Sequence, residues 1–149
     1  MIIETSRFGQ LEVDEERLIS FPAGLLGFPD HRRFALVQTG EESGFYWLQC
    51  VDCQELAFVV TDPRLFVPDY RAPIKAEELG KLGLDTVDGA QVFIIVNKVD
   101  NLLTGNLQGP LVVNVRTRVG KQLVLSDRRY STRHPLMRVA SRGALARTG

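Results

Sequence analysis

Along most of the chain, apolar and polar residues either alternate or gather in short apolar runs, and little of it carries helical spacing. Residues 10–13 and 17–21 are short alternating pieces on either side of the acidic turn Asp14-Glu15-Glu16. Residues 34–39 and 45–51 flank Gly40-Glu41-Glu42-Ser43-Gly44, whose glycines and polar residues predict a hairpin loop. Residues 56–61 and 91–98 are rich in Val, Ile and Phe and predict strands buried on both faces. In residues 111–117, Leu111, Val113 and Val115 point one way and Val112, Asn114 and Arg116 the other. A turn at Gly120-Lys121 then leads into a last strand at 122–125.

One helix is predicted, over residues 74–82. Ile74, Leu79 and Leu82 form its apolar stripe, Glu77 and Glu78 reach Lys81 at helical spacing, and Gly83 ends it. Glu77-Glu78 therefore reads as a helix surface and Glu41-Glu42 as a solvated loop, not as catalytic carboxylate pairs. Many short strands with one short helix and no helical crossovers predict an all-β fold, a barrel-like roll of antiparallel strands. Residues 1–135 read as one domain. Residues 136–149 have weak periodicity and read as a loosely ordered basic tail.

Composition sharpens this picture in three ways. A chain of 149 residues buries roughly 68–70% of its unfolded surface, enough for a core without a staple. The longest apolar runs, such as Val92-Phe93-Ile94-Ile95-Val96, are far shorter than the roughly 18 residues a spanning helix needs. The opening Met1-Ile2-Ile3-Glu4 lacks a basic and apolar leader, so the expected address is the cytoplasm. Net charge is zero but uneven. Residues 1–127 hold twelve Lys and Arg against eighteen Asp and Glu, a net of −6, and residues 128–149 hold six Arg and no acid, a net of +6. The acidic body favours cationic partners; the tail can touch phosphates or fold back on the body.

Chemistry-bearing motifs are sparse. No G-x-S-x-G elbow, phosphate loop or dinucleotide fingerprint occurs, so no enzyme and no cofactor is expected. Cys50 and Cys53 form a lone C-x-x-C without a second pair, and His31 and His134 are isolated in sequence. At the end of a strand, with no helix start to lower a thiolate pKa, the pair reads as incidental small residues; redox chemistry or zinc is the alternative. RNA contact through the arginines of the tail is a further alternative, weak and salt-sensitive, since the aromatics lie in the acidic body.

Four segments in order resemble the FliW family of flagellar assembly factors. They are Phe21-Pro22-Ala23-Gly24-Leu25-Leu26-Gly27-Phe28 with Phe34-Ala35-Leu36; Phe45-Tyr46-Trp47-Leu48-Gln49 through Glu55-Leu56-Ala57-Phe58-Val59-Val60 and Asp62-Pro63 to Phe66-Val67-Pro68-Asp69-Tyr70; Thr104-Gly105-Asn106-Leu107-Gln108-Gly109-Pro110 with Val112-Val113-Asn114; and Gln122-Leu123-Val124-Leu125 with Tyr130 and Arg133-His134-Pro135. The resemblance implies a mostly β, barrel-like fold. It also implies two partners: newly made flagellin, held as by a chaperone, and the translational regulator CsrA, whose repression of flagellin synthesis is relieved while it is bound. Cys50 and Cys53 depart from the small polar or acidic residues expected there, and Gly109 from the usual alanine.

Such a protein needs a stable scaffold and an exposed surface. Residues 62–70 are the candidate: Pro63 and Pro68 favour an irregular extended segment, with Phe66 and Tyr70 as aromatic anchors beside Asp62 and Asp69. The alternative is that Phe66 and Tyr70 plug the barrel. Asn106 joins the partner-binding candidates through the resemblance, with turn formation as its bland reading; Asn114 reads as a polar strand face and Phe21-Pro22-Ala23-Gly24 as a structural turn.

Overall fold

The structure, a computed structural model, describes residues 1–38 and 44–139. The expected loop at 40–44 thus lies outside the described residues except for Gly44, and so does the tail beyond Val139. Strands dominate: β1 (Ile2–Thr5), β2 (Gly9–Glu12), β3 (Ile19–Ser20), β4 (Arg33–Val37), β5 (Phe45–Cys50), β6 (Ala57–Thr61), β7 (Ala90–Val99), β8 (Leu102–Gly105), β9 (Leu111–Asn114), β10 (Gly120–Gln122) and β11 (His134–Arg138). One helix, α1 (Ala76–Lys81), and three single 3-10 turns complete the described residues.

The main sheet runs β10-β9-β7-β6-β5-β4-β3, each pair antiparallel, and curls into a half-barrel. β7 organises it. Its first half pairs with β9 and its second with β8, and the loop 106–110 spans the gap between those two partners. The Asn106 amide keeps the ladder alive across that gap by donating to the Ile95 carbonyl at 3.0 Å. The ends of the sheet meet at a seam: Ser20 bridges Val119, and the Ser20 amide donates to the Arg118 carbonyl at 2.9 Å.

Alternation explains why one sheet carries several cores. Phe21, Phe34, Leu48, Val60, Phe93, Leu111 and Val113 point inward and fill the half-barrel. On the outer side, Val112 packs with Leu82, Leu123 and Leu125 beneath α1, and Ile94 packs with Tyr70 and Leu107. The β1–β2 hairpin covers the outer side of β4, with Ile3 and Leu18 against Ala35. Helix α1 is short, but Leu79 is buried, and Glu78 reaches both Lys81 (3.7 Å) and Lys121 of β10 (2.8 Å). Gly83, in the left-handed region, stops it.

Several sequence expectations are corrected here. β7 is not buried on both faces along its whole length: Asn97, Lys98 and Val99 are exposed where it outruns its cover. The strand expected at 111–117 ends at Asn114, whose side chain takes the amides of Arg116 and Thr117 and turns the chain. That turn precedes Gly120, which lies in β10 with Lys121; a Cβ on Gly120 would come within 2.8 Å of the Phe21 ring. β1, β8 and β11 were not foreseen. β11 carries the sheet past the expected boundary at residue 135, with a register shift between Pro135 and Met137. Phe21-Pro22-Ala23-Gly24 is a structural turn as expected: the Gly24 amide donates to the Phe21 carbonyl at 2.8 Å, and Gly24 has φ +72°.

Candidate functional site

The segment after β6 begins at Asp62, whose Oδ1 accepts the Arg64 amide at 2.9 Å and starts a 3-10 turn with Pro63 at its first position. The Arg64 guanidinium folds back onto the same carboxylate, Nη2 to Oδ2 at 3.1 Å, and Gln91 Nε2 donates to it at 3.4 Å. Burial pushes the Asp62 carboxyl up, but these hydrogen bonds outweigh it and hold the pKa below the ordinary value. Asp62 is therefore engaged, not free to steer a partner. The turn throws Leu65 outward, 61% exposed, and sets Phe66 half-buried with its ring 5.6 Å from that of Phe45. Pro68 and Asp69 are exposed.

Tyr70 is different. Its side chain is only 4% exposed, its ring lies 4.8 Å from Tyr130 edge-on, and its hydroxyl donates to the Leu107 carbonyl at 2.7 Å. Burial, with Tyr130 alongside, pushes its phenol well above the ordinary value, so it stays a neutral donor. This corrects the expectation of Tyr70 as an exposed anchor: it is a packing residue on the outer side of β7. Tyr70→Phe is expected to cost about 1–2 kcal/mol, since the Leu107 carbonyl loses a buried donor. A urea titration read by tryptophan fluorescence measures it.

Asn106 also serves the fold. Its Oδ1 accepts the amides of Gln108 (3.1 Å) and Gly109 (2.9 Å) and shapes the loop between β8 and β9. It lines a separate hollow with Phe58, Ile95 and Gln122, so it does not converge with Asp62 and Phe66.

Asp62, Leu65 and Phe66 instead rim an open groove of about 830 Å³ at one mouth of the half-barrel. Its floor comes from Leu36, Tyr46, Phe93 and Val113, each on a different strand. A second hollow of about 480 Å³ adjoins it, sharing Arg17, Leu36, Gln38, Tyr46 and Arg118. Sequence reasoning missed this groove, because its residues are scattered from Arg17 to Arg118 and only the closing of the sheet gathers them. Both hollows are mixed in character: the smaller is lined by Glu12, Asp14, Arg17 and Arg118 beside its apolar residues, and the larger by Asp62 with the same two arginines.

The cysteines are placed differently from one another. Cys50 is buried, and burial raises its thiol pKa, which disfavours the reactive thiolate. His31, isolated in sequence, has Nδ1 3.8 Å from Cys50 Sγ, while Cys53 is half-buried with Sγ 3.7 Å from Glu55. Among the described residues no three His, Cys, Asp or Glu side chains are placed to hold a metal ion. Of the basic residues near the C-terminus, Arg129 is paired with Asp127 at 2.7 Å, and Arg142 and Arg147 lie outside the described residues. No helix among the described residues is long and apolar enough to cross a membrane.

The family model described as FliW protein matches residues 2–136. A flagellar assembly factor FliW from Alkaliphilus metalliredigens is 39% identical over 140 residues, covering 92% of this chain and 86% of the relative. One from Bdellovibrio bacteriovorus is 41% identical over 138 residues, covering 91% and 79%. A crystal structure of the flagellar assembly factor FliW superposes with a TM-score of 0.83 at 31% identity, covering 92% of this chain and 97% of that one.

Proposed function

Because the chain belongs to the FliW family of flagellar assembly factors, we propose that it works by reversible protein binding in the cytoplasm, holding newly made flagellin and, alternately, the translational regulator CsrA. While CsrA is bound, its repression of flagellin synthesis is lifted. Flagellin that accumulates takes the factor, releases CsrA and shuts its own synthesis off. The switch requires only that two partners compete for one limiting protein with affinities near their cellular concentrations. It needs no reactive group and no catalysis.

The observation that carries this reading is the apolar-floored groove at the barrel mouth, rimmed by the exposed Leu65 and the half-exposed Phe66. A β scaffold with an open, apolar-floored groove and an aromatic at its edge suits a polypeptide partner better than a small substrate. Pro68 and Asp69, exposed on the same segment, extend the surface.

Calorimetric titration of the purified full chain with flagellin, and separately with CsrA, tests the proposal at moderate salt. Submicromolar binding to each is expected, with flagellin displacing CsrA in a competition run. The double variant Leu65→Ala, Phe66→Ala is expected to weaken flagellin binding about thirtyfold, the size of an interface hot spot. Absence of binding to both partners would sink the partner-switch reading.

A further inference from the structure

Arg118 is the most unusual residue of the groove. It is a non-glycine residue in the left-handed region, with φ +63°, a conformation that side-chain-bearing residues adopt at a cost. Its carbonyl accepts the Ser20 amide at the seam, and its Nη2 donates to the Arg17 carbonyl at 2.8 Å. Backbone and side chain are thus both pinned, and the guanidinium stands between the two hollows, lining each. Among the described residues, no acceptor faces its Nε. A pinned cation at the junction of two hollows is a seat for an anionic group.

The charges around it point the same way. Asp62 is held by Arg64 and Gln91, Asp14 caps the Glu16 amide at 3.0 Å, and Glu12 pairs with the N-terminal amine at 3.1 Å. None of the ion pairs among the described residues involves Arg17 or Arg118. Among the described residues, the acids lining the hollows are engaged elsewhere and neither cation has a carboxylate partner.

We propose that this groove seats a passing segment of the partner polypeptide, with an acidic side chain on the Arg118 guanidinium and apolar side chains in the hollows on either side. This rests on reading the groove as the seat of a protein partner. The hollows continue to both sides of Arg118, so a chain that follows them crosses the arginine and does not end on it. The carboxylate therefore comes from an Asp or Glu side chain. Seated on the exposed side of the half-buried guanidinium, it accepts charge-assisted hydrogen bonds from the fork. Because the guanidinium is already fixed, little side-chain freedom is lost on binding. The apolar floor of Leu36, Tyr46, Phe93 and Val113 takes the flanking side chains.

The probe is a fluorescein-labelled, N-acetylated, C-amidated peptide, Leu-Ser-Leu-Glu-Leu-Ser-Leu, with the same peptide carrying Gln for Glu. Anisotropy titrations use the full chain, and flagellin titrations by calorimetry run beside them. Expected is binding of the Glu peptide at least about tenfold tighter than the Gln peptide, a preference abolished in Arg118→Asn. Asparagine tolerates the left-handed backbone, so the fold survives, and thermal melting checks this. Arg118→Lys, which keeps the charge but not the fork, should retain only part of the preference. Flagellin binding should weaken about tenfold in Arg118→Asn.

An Arg118→Asn variant that melts earlier yet keeps the Glu preference and full flagellin affinity would show that the arginine only pins the seam, and would overturn the proposal. So would the Gln peptide with a free C-terminus binding as tightly as the Glu peptide, because the carboxylate source would then be a chain end. If flagellin fails to bind wild type while the Glu preference and its loss in Arg118→Asn are seen, the groove proposal stands and the flagellin reading falls.

Discussion

Gly24→Ala is expected to lower the unfolding free energy by about 4 kcal/mol, enough to leave a marginally stable domain largely unfolded at 37 °C. Two effects add. Alanine in the left-handed region costs roughly 1–2 kcal/mol, and Gly24 has φ +72°. The new Cβ also has nowhere to go: it would lie 2.5 Å from the Phe28 carbonyl oxygen and 2.6 Å from Pro29 Cα, both backbone atoms that no rotamer change can move. Relieving the clash means pulling apart the 21–29 loop that seats Phe21 and Leu25 in the main core. Gly27 supplies the control. It too has positive φ, +84°, but a Cβ there meets nothing within 4 Å, so Gly27→Ala should cost only the roughly 1–2 kcal/mol conformational part. Urea denaturation followed by circular dichroism separates the two. Equal losses at Gly24 and Gly27 would mean that the close backbone approach carries no weight.

Asn114→Ala should cost about 3 kcal/mol. The side chain is 1% exposed and makes three hydrogen bonds: Nδ2 donates to the Leu82 carbonyl at 2.8 Å, and Oδ1 accepts the amides of Arg116 (2.9 Å) and Thr117 (3.2 Å). Leu82 sits at the end of α1, where carbonyls lack intrahelical partners, so this one side chain closes the helix and shapes the turn before β10. Alanine leaves all three backbone groups short, each worth roughly 1 kcal/mol or more when unsatisfied away from water. With a denaturant slope of roughly 1–3 kcal/mol/M, the urea midpoint should fall by about 1–3 M. Asn114→Asp keeps the acceptor but turns a donor into a carboxylate facing the Leu82 carbonyl, so it should not restore stability. The same turn carries Arg118, and faster amide exchange at Ser20 in Asn114→Ala would report the loosened seam.

These two residues mark what could be read in advance. Gly24 lay in a Phe-Pro-Ala-Gly string whose turn chemistry is local, and local chemistry is legible. The strands at 45–50, 57–61 and 90–99 were legible for the same reason, since β-branched and aromatic runs leave few alternatives. The alternation puts Asn114 on a strand, but the partner that lets its side chain be buried, the Leu82 carbonyl, lies 32 residues away. Tyr70 posed the same problem: nothing beside it says whether its hydroxyl finds water or the Leu107 carbonyl. β8 and β11 were missed because each is short and one holds a proline, and they are strands only because they pair with each other and with β7. The proline-flanked segment points to Asp62 and Phe66, which do rim the groove, yet Arg17, Tyr46 and Arg118 become neighbours only through closure.

The irregular strand β11 bears on how crowded this protein can be. It lies at the margin of the sheet, paired to β8, with Pro135 lacking an N–H and a register shift two residues on. Proline and bulges are the devices by which natural sheets blunt such margins against edge-to-edge pairing. At the other ends of the sheet, the Ser20–Val119 bridge turns two margins toward each other. A second copy arriving at β11 meets a broken ladder, which disfavours edge-to-edge pairing at that strand.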